Sequence, residues 1–254
     1  MQARLERIVR YPVKGMAGEA LEEAKLASGR PLPDDRRYAL AYGSAAPGQE
    51  EAEWLAQAPL VDLIAEERLA ALGLAYDAES AVLTLMRDGR QVARAQVDQP
   101  LGQTLMNQFF AAYLKDNPRG TARFVEAPDD AFTYWDEHFL HAINLATARD
   151  LERVAREPVD PRRFRANLWL DGVEAWAEMN WVGRRLRIGE ALLEVADKTE
   201  RCAVTMVNPD SAKRDLNIPR TLRAGYGHLD MGVYLRVVEE GAIKPGDTAE
   251  LLAV

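Results

Sequence analysis

The sequence predicts an α+β, β-rich fold. Three observations carry that reading: short apolar-alternating runs recur along the chain, Gly, Pro and Asp-Gly turns separate them, and helical spacing is confined to a few stretches. Repeated short strands closed by such turns suggest barrels or closed sandwiches.

The elements follow in order. "LERIVRYPVKG" places Leu5, Ile8 and Val9 before Pro12 and Gly15, a strand and then a turn. "EALEEAKLAS" alternates apolar and charged residues and leans to strand, although its composition also suits a helix. "RPLPDD" is a turn, since two prolines cannot both sit in a ladder. "RRYALAYG" is a strand, and "EEAEWLAQAPLVDLIAEERLAALGL" is helix-rich with a break near Pro59. "AVLTLMRDGRQVARAQV" is a hairpin about Asp88-Gly89. "QTLMNQFFAAYLK" has helical spacing and stops at Asn117-Pro118, ahead of the short strand "ARFVEA". "NLATARDLERVAR" is a helix capped by Asn144 or Thr147. After the linker "PVDPRRF" the expectation is strand after strand: "ANLWLDG", "RRLRIGEALLEVAD", "CAVTMV", "GVYLRVVEEG" and "DTAELLAV".

The chain has 254 residues, 48% hydrophobic and 28% charged, with a net charge of −8. That composition suits a globular core and argues against a nucleic-acid partner, which calls for a basic surface. No apolar run is long enough to span a bilayer, and the charged N-terminus lacks the apolar segment of a secretion signal. A cytoplasmic protein is expected, and its single cysteine fits a reducing compartment.

That cysteine, Cys202, follows Arg201 in "DKTERCAVTMVNPD". A lone cysteine is commonly a buried small hydrophobe. Cationic neighbours, however, favour the thiolate, which attacks carbon or sulfur and binds metals. One thiol and three scattered histidines, His138, His141 and His228, do not make a protein-built zinc or iron site. A lone thiolate is still a sound ligand for a metal that brings its other ligands along. Cations collect in turns beside strands: Lys14 with Gly15, Arg36 with Arg37, and Arg162, Arg163 and Arg165. Such residues are commonly solvated or paired, but together they would suit a phosphorylated ligand. No glycine-rich nucleotide loop or GxSxG elbow is present. The five tryptophans, Trp54, Trp135, Trp169, Trp176 and Trp181, are expected in the core or at interfaces, with Trp176 and Trp181 also able to shape a pocket mouth.

Four motifs in order resemble the MOSC family. "RYPVKGMAGEAL" with "PDDRRYAL" resembles the N-terminal β-barrel that accompanies MOSC domains. "RFRANLWLDGVEAWAEMNWVGRRLRIGEALLEV" resembles the MOSC core, "TERCAVTMVNPD" its cysteine motif, and "GHLDMGVYLRVVEEGAIKPGD" its closing strands. The chain departs from the family pattern at Ala166, at Asn208 where an aspartate is usual, at Thr205-Met206, and at Asn144–Thr147. The resemblance implies an N-terminal MOSC-type β-barrel, residues 1–125, packed with a MOSC-domain β-barrel, residues 126–254, and a few helices. It implies a molybdenum cofactor (Mo-molybdopterin) whose metal is held by Cys202, also the catalytic residue. Lys14 and Arg36 would meet its phosphate and Arg165 and Asn167 its pterin, with Gly15, Thr147 and Arg201 beside them. The activity implied is a molybdenum-dependent oxidoreductase that reduces small N-hydroxylated compounds. Its electrons would come from a separate electron-transfer protein. The alternative is a sulfur-carrier or cofactor-handling protein using Cys202 as a persulfide.

Overall fold

In the computed structural model, residues 1–47, 49–115, 117, 119–133 and 137–252 are described; Trp135 and Pro118 lie outside them. The strands are β1 (Gln2–Arg10), β2 (Glu19–Leu21), β3 (Ala24–Leu26), β4 (Tyr38–Tyr42), β5 (Gly73–Asp77), β6 (Val82–Arg87), β7 (Arg90–Gln96), β8 (Ala122–Glu126), β9 (Leu140–Asn144), β10 (Leu168–Asp171), β11 (Arg185–Ile188), β12 (Ala191–Glu200), β13 (Asp230–Glu239), β14 (Gly241–Ile243) and β15 (Thr248–Leu251). The α-helices are α1 (Glu51–Leu55), α2 (Pro100–Tyr113), α3 (Leu145–Ala155) and α4 (Ile218–Tyr226). The α+β, β-rich class is what the structure shows.

The chain forms two compact units. One holds residues 1–10, 20–33 and 133–254, and the other residues 11–19 and 34–132. These units cut across the expected segments 1–125 and 126–254, because β1 supplies a strand to the sheet made mostly by the second half.

The first unit is a closed seven-strand barrel. Its strands run in the order β10-β9-β13-β12-β11-β15-β1, and β1 pairs back to β10 to complete the ring. The β1–β10 register matches Leu5 to Leu170 and Ile8 to Leu168, and β9–β10 is a parallel pair. Along β1, alternation points Ala3 and Leu5 inward, and the register shift between Leu5 and Arg7 brings Ile8 into the same core. They meet Leu140, Ala142, Leu168, Leu186, Leu193, Val195, Val233 and Leu235 in one continuous core. The second unit pairs β4 with β8 and builds β5-β6-β7 as a meander. Asp88 and Gly89 at the β6–β7 turn have φ of 51° and 72°, the double left-handed turn that Asp-Gly favours. Tyr38 stacks on Phe124 at 5.1 Å, and Phe124 on Phe110 of α2 at 6.2 Å.

Four segments differ from the sequence reading. "CAVTMV" is not a strand. β12 ends at Glu200, and Ala203–Met206 is a short 3-10 helix, because the backbone N–H and hydroxyl of Thr205 both donate to the Cys202 carbonyl at 3.2 and 2.9 Å. The helix-rich stretch before residue 74 shrinks to α1 and a 3-10 turn at Glu67–Ala71. β9 and α4 were not anticipated. α4 carries signals that would have found it: Asn217 caps the Arg220 N–H, Pro219 sits in the first turn, and Gly227 closes the end in the left-handed region.

Leu5 is fully buried in the strand that closes the ring. Leu5→Ala should lower unfolding stability by about 2–5 kcal/mol, the usual cost of a large buried truncation, as read by urea denaturation. A loss below about 1 kcal/mol would mean that β1 is not part of the barrel core.

Candidate functional site

Cys202 sits where β12 leaves the barrel. Its backbone is extended, with φ −111° and ψ −178°, and its side chain is exposed. It is therefore not a buried small hydrophobe. The residue before it turns the other way. Arg201 is 5% exposed, its guanidinium 5.2 Å over the Phe164 ring. It donates to the Phe164 carbonyl at 3.1 Å and meets His141 Nε2 at 2.5 Å. A guanidinium has no acceptor, so His141 accepts through Nε2 and carries its proton on Nδ1. The Arg201 N–H is held by the Leu229 carbonyl at 2.9 Å.

Gly232 makes this packing possible. Its φ is +82°, and a Cβ there would lie 2.4 Å from the Ala142 carbonyl, 2.9 Å from His141 Nε2 and 3.0 Å from an Arg201 nitrogen. Any side chain would push the Arg201–His141 pair apart.

Arg165 ends the 3-10 turn Pro161–Phe164 in the left-handed region, φ 51°, and is half-buried. It is thus one residue from the carbonyl that holds Arg201. Thr147 and Asn167 belong to the frame instead. Thr147 is fully buried, donates to Glu178 at 2.7 Å and accepts the Trp176 N–H at 2.8 Å. Asn167 is 1% exposed and bridges strands, accepting the His141 N–H at 3.1 Å and donating to the Val9 carbonyl at 3.1 Å. Both side chains are buried and bonded within the frame. The cap of α3 is Asn144, whose side chain accepts the Ala146 N–H, and Thr147 lies inside the helix.

In the second unit, Lys14, Gly15 and Arg36 share one corner. Lys14 is buried, with Nζ 3.4 Å from the Phe132 carbonyl, and the Phe132 N–H donates to the Arg36 carbonyl at 2.9 Å. Arg36 has φ 55°, pairs with Asp35 and lies 5.2 Å over the Tyr11 ring. Gly15 has φ +83° and lies against the Val61 carbonyl, 3.3 Å from where its Cβ would be.

Two features escaped the sequence. One is Glu178, 1% exposed and held by Thr147 and by Asn144 at 3.0 Å. The other is a ring cluster: Trp176 lies 4.2 Å from Tyr226 and 5.7 Å from His228. Trp176 has φ 67°, unusual for so bulky a residue. It is restrained there by its N–H to Thr147 and its indole N–H to Asp150 at 2.8 Å. The "WAEMN" stretch that separates Trp176 from Trp181 was the available signal. Trp181 itself is core, 2% exposed.

The MOSC domain family matches residues 129–250. The chain carries a MOSC domain. Mitochondrial amidoxime-reducing component 1 of Homo sapiens is 27% identical over 137 residues, 49% of this chain and 40% of that protein. Mitochondrial amidoxime reducing component 2 of Rattus norvegicus is 28% identical over 120 residues, 42% of this chain and 35% of that protein. The match spans less than half the length of either relative. Among solved structures, the YUAD protein from Bacillus subtilis aligns over 99% of this chain and 96% of its own, with a TM-score of 0.46 and 12% identity. Among the described residues, no helix is long and apolar enough to cross a membrane.

Burial raises the Glu178 carboxyl above its usual range, while Thr147, Asn144 and the Arg201 charge pull it down. The folded protein thus keeps this proton to higher pH than the unfolded chain. The stability it contributes is full below the unfolded pKa and is lost as pH rises through the folded one. Glutamine mimics the protonated acid, so the stability of wild type relative to Glu178→Gln should fall as pH rises from about 4 to 8, followed by urea unfolding. A difference that is flat with pH would show that Glu178 does not titrate differently on folding.

Proposed function

We propose that this protein is a molybdenum-cofactor-dependent oxidoreductase that reduces small N-hydroxylated compounds. The observation that carries the reading is Cys202: an exposed thiol, next to a buried arginine, in a MOSC domain. Relatives named for amidoxime reduction support the substrate class.

The residues present fit such a cofactor. Among the described residues no cluster of three His, Cys, Asp or Glu side chains is placed to hold a metal. A metal at Cys202 must therefore arrive with ligands of its own, and a single soft thiolate is what the chain adds to them. When bound, the cofactor supplies a two-electron centre able to take oxygen from nitrogen. The chain contributes position and charge. Cys202 presents its sulfur from a backbone that Thr205 and Leu229 hold on either side. Arg201 directs its charge inward against Phe164 and His141. Arg165, on the same turn, is the cation proposed for the anionic part of the cofactor beside Cys202; a phosphate-binding role for Lys14 and Arg36 is proposed from the motif resemblance alone. Reduction of an amidoxime to an amidine takes two electrons and two protons and releases water. The electrons are proposed to come from a separate electron-transfer protein, and the setting to be cytoplasmic.

The exposed thiol also favours a second reading, a sulfur carrier or cofactor-handling protein with a persulfide on Cys202. The two separate cleanly. Cofactor-loaded, reduced protein should be reoxidised by an amidoxime and hold no stable persulfide; persulfide transfer without redox turnover would reject the reductase. Cys202→Ser should abolish turnover and remove one Mo–S contact in X-ray absorption while the fold persists. An unchanged sulfur count would sink the assignment. Arg165→Ala should retain roughly tenfold to a hundredfold less pterin, the loss of one hydrogen bond to a charged group. Occupancy equal to wild type, measured by pterin release, would leave Arg165 as a surface cation.

A further inference from the structure

The 3-10 turn Pro161–Phe164 touches the cysteine loop repeatedly, and Arg163 is at its centre. This side chain is 4% exposed, which is unusual for an arginine. Its Nη1 donates to the Met206 carbonyl at 3.1 Å and lies 3.5 Å from that of Thr205. Those are the last residues of the short helix that Cys202 opens. Nη2 donates to Asp215 Oδ1 at 2.6 Å. The other oxygen of Asp215 accepts from Asn208 Nδ2 at 2.6 Å. Asn208 in turn caps the backbone just beyond, accepting the N–H groups of Asp210 and Ser211 at 2.9 and 3.0 Å. The neighbouring Arg162 makes a two-point bond to Asp210 at 2.9 and 2.7 Å. On the other side of the cysteine, the Phe164 carbonyl takes Arg201.

One turn therefore grips the chain before and after Cys202. We propose that Arg163, locked by Asp215 and Asn208, is the positioning residue that fixes the direction in which Cys202 presents its sulfur. The carbonyls of a terminal helical turn otherwise lack partners. Arg163 supplies donors to them while the Cys202 side chain stays exposed. The chemistry also accounts for Asn208. A carboxylate at that position would face Asp215 with like charge at hydrogen-bond distance, whereas the amide donates a proton and leaves Asp215 charged for Arg163. The role rests on Cys202 being the reacting group, and it holds whether that group binds a metal or carries sulfur.

Cys202 is the sole cysteine in the sequence, so a nitroxide attached to it reports this loop alone. The label is placed on cofactor-free wild type and on Arg163→Met, Arg163→Lys, Asp215→Asn and Asn208→Asp. The control is Arg149→Met, which removes the exposed two-point Arg149–Asp171 pair of the same unit. The mobile component of the wild-type spectrum should be minor. In Arg163→Met it should rise by about tenfold or more, the loss of one hydrogen bond to a charged group. Arg163→Lys should recover part of the order and Arg149→Met should leave the spectrum unchanged. Asn208→Asp should be mobile at neutral pH and regain order in acid, where one of the two facing carboxyls takes up a proton. Asp215 is partly exposed, so Asp215→Asn serves if Arg163→Met does not fold. Wild-type spectra in folded Arg163 and Asp215 variants, or equal mobility in the Arg149 control, would overturn the proposal. Because no cofactor is needed, this outcome is independent of whether the reductase reading stands.

Discussion

β1 must pair with β10 on one side and β15 on the other before the ring exists at all. The partners lie far apart in sequence, so closure brings together residues 2–10, 168–171 and 248–251. Forming such distant pairs carries a chain-entropy cost that only the completed core offsets. Once the ring is closed no edge remains along it, and β12 is held between β11 and β13. That fixes where the chain emerges at Arg201 and Cys202.

The emergence point shows how a buried charge can serve an exposed group. Arg201 and Arg163 are both nearly inaccessible, and each satisfies backbone carbonyls of the segment to which the other belongs. Buried guanidinium groups are costly unless their donors find partners. Here the Nη donors reach the carbonyls that a tight turn exposes, so one set of bonds serves both the charge and the turn. Cys202 is left outside this network by its side chain and inside it by its backbone.

The polar frame of the barrel uses the same logic with shorter side chains. Asn144, Thr147 and Glu178 tie the start of α3 to the Ala177–Asn180 turn, and Asn167 ties β1, β9 and β10. These are polar residues in the core of a barrel end. Each is bonded on both sides, which is the condition for burying them. The left-handed Trp176 belongs to this set, since Thr147 and Asp150 restrain it at two points.

Local chemistry was legible in the sequence. The Asp88-Gly89 turn, the apolar run of β1 before its Pro-Gly turn, the helical spacing of α2 and the lone cysteine beside a cation all depend on neighbours within a few residues. The MOSC pattern was legible for the same reason, because motifs are runs of adjacent residues. What only the tertiary structure decided is which face each side chain turns to. Nothing in "RFRAN" tells Arg163 from Arg165, yet one is buried under the cysteine loop and the other half-exposed at its turn. Thr147 and Asn167 bond Glu178 and Val9, partners from remote parts of the chain that no local pattern announces. "CAVTMV" has the composition of a strand, but Thr205 finds a carbonyl three residues back before any neighbouring strand can reach it. A sequence specifies which hydrogen-bonding groups are available; the closed barrel determines which of them meet.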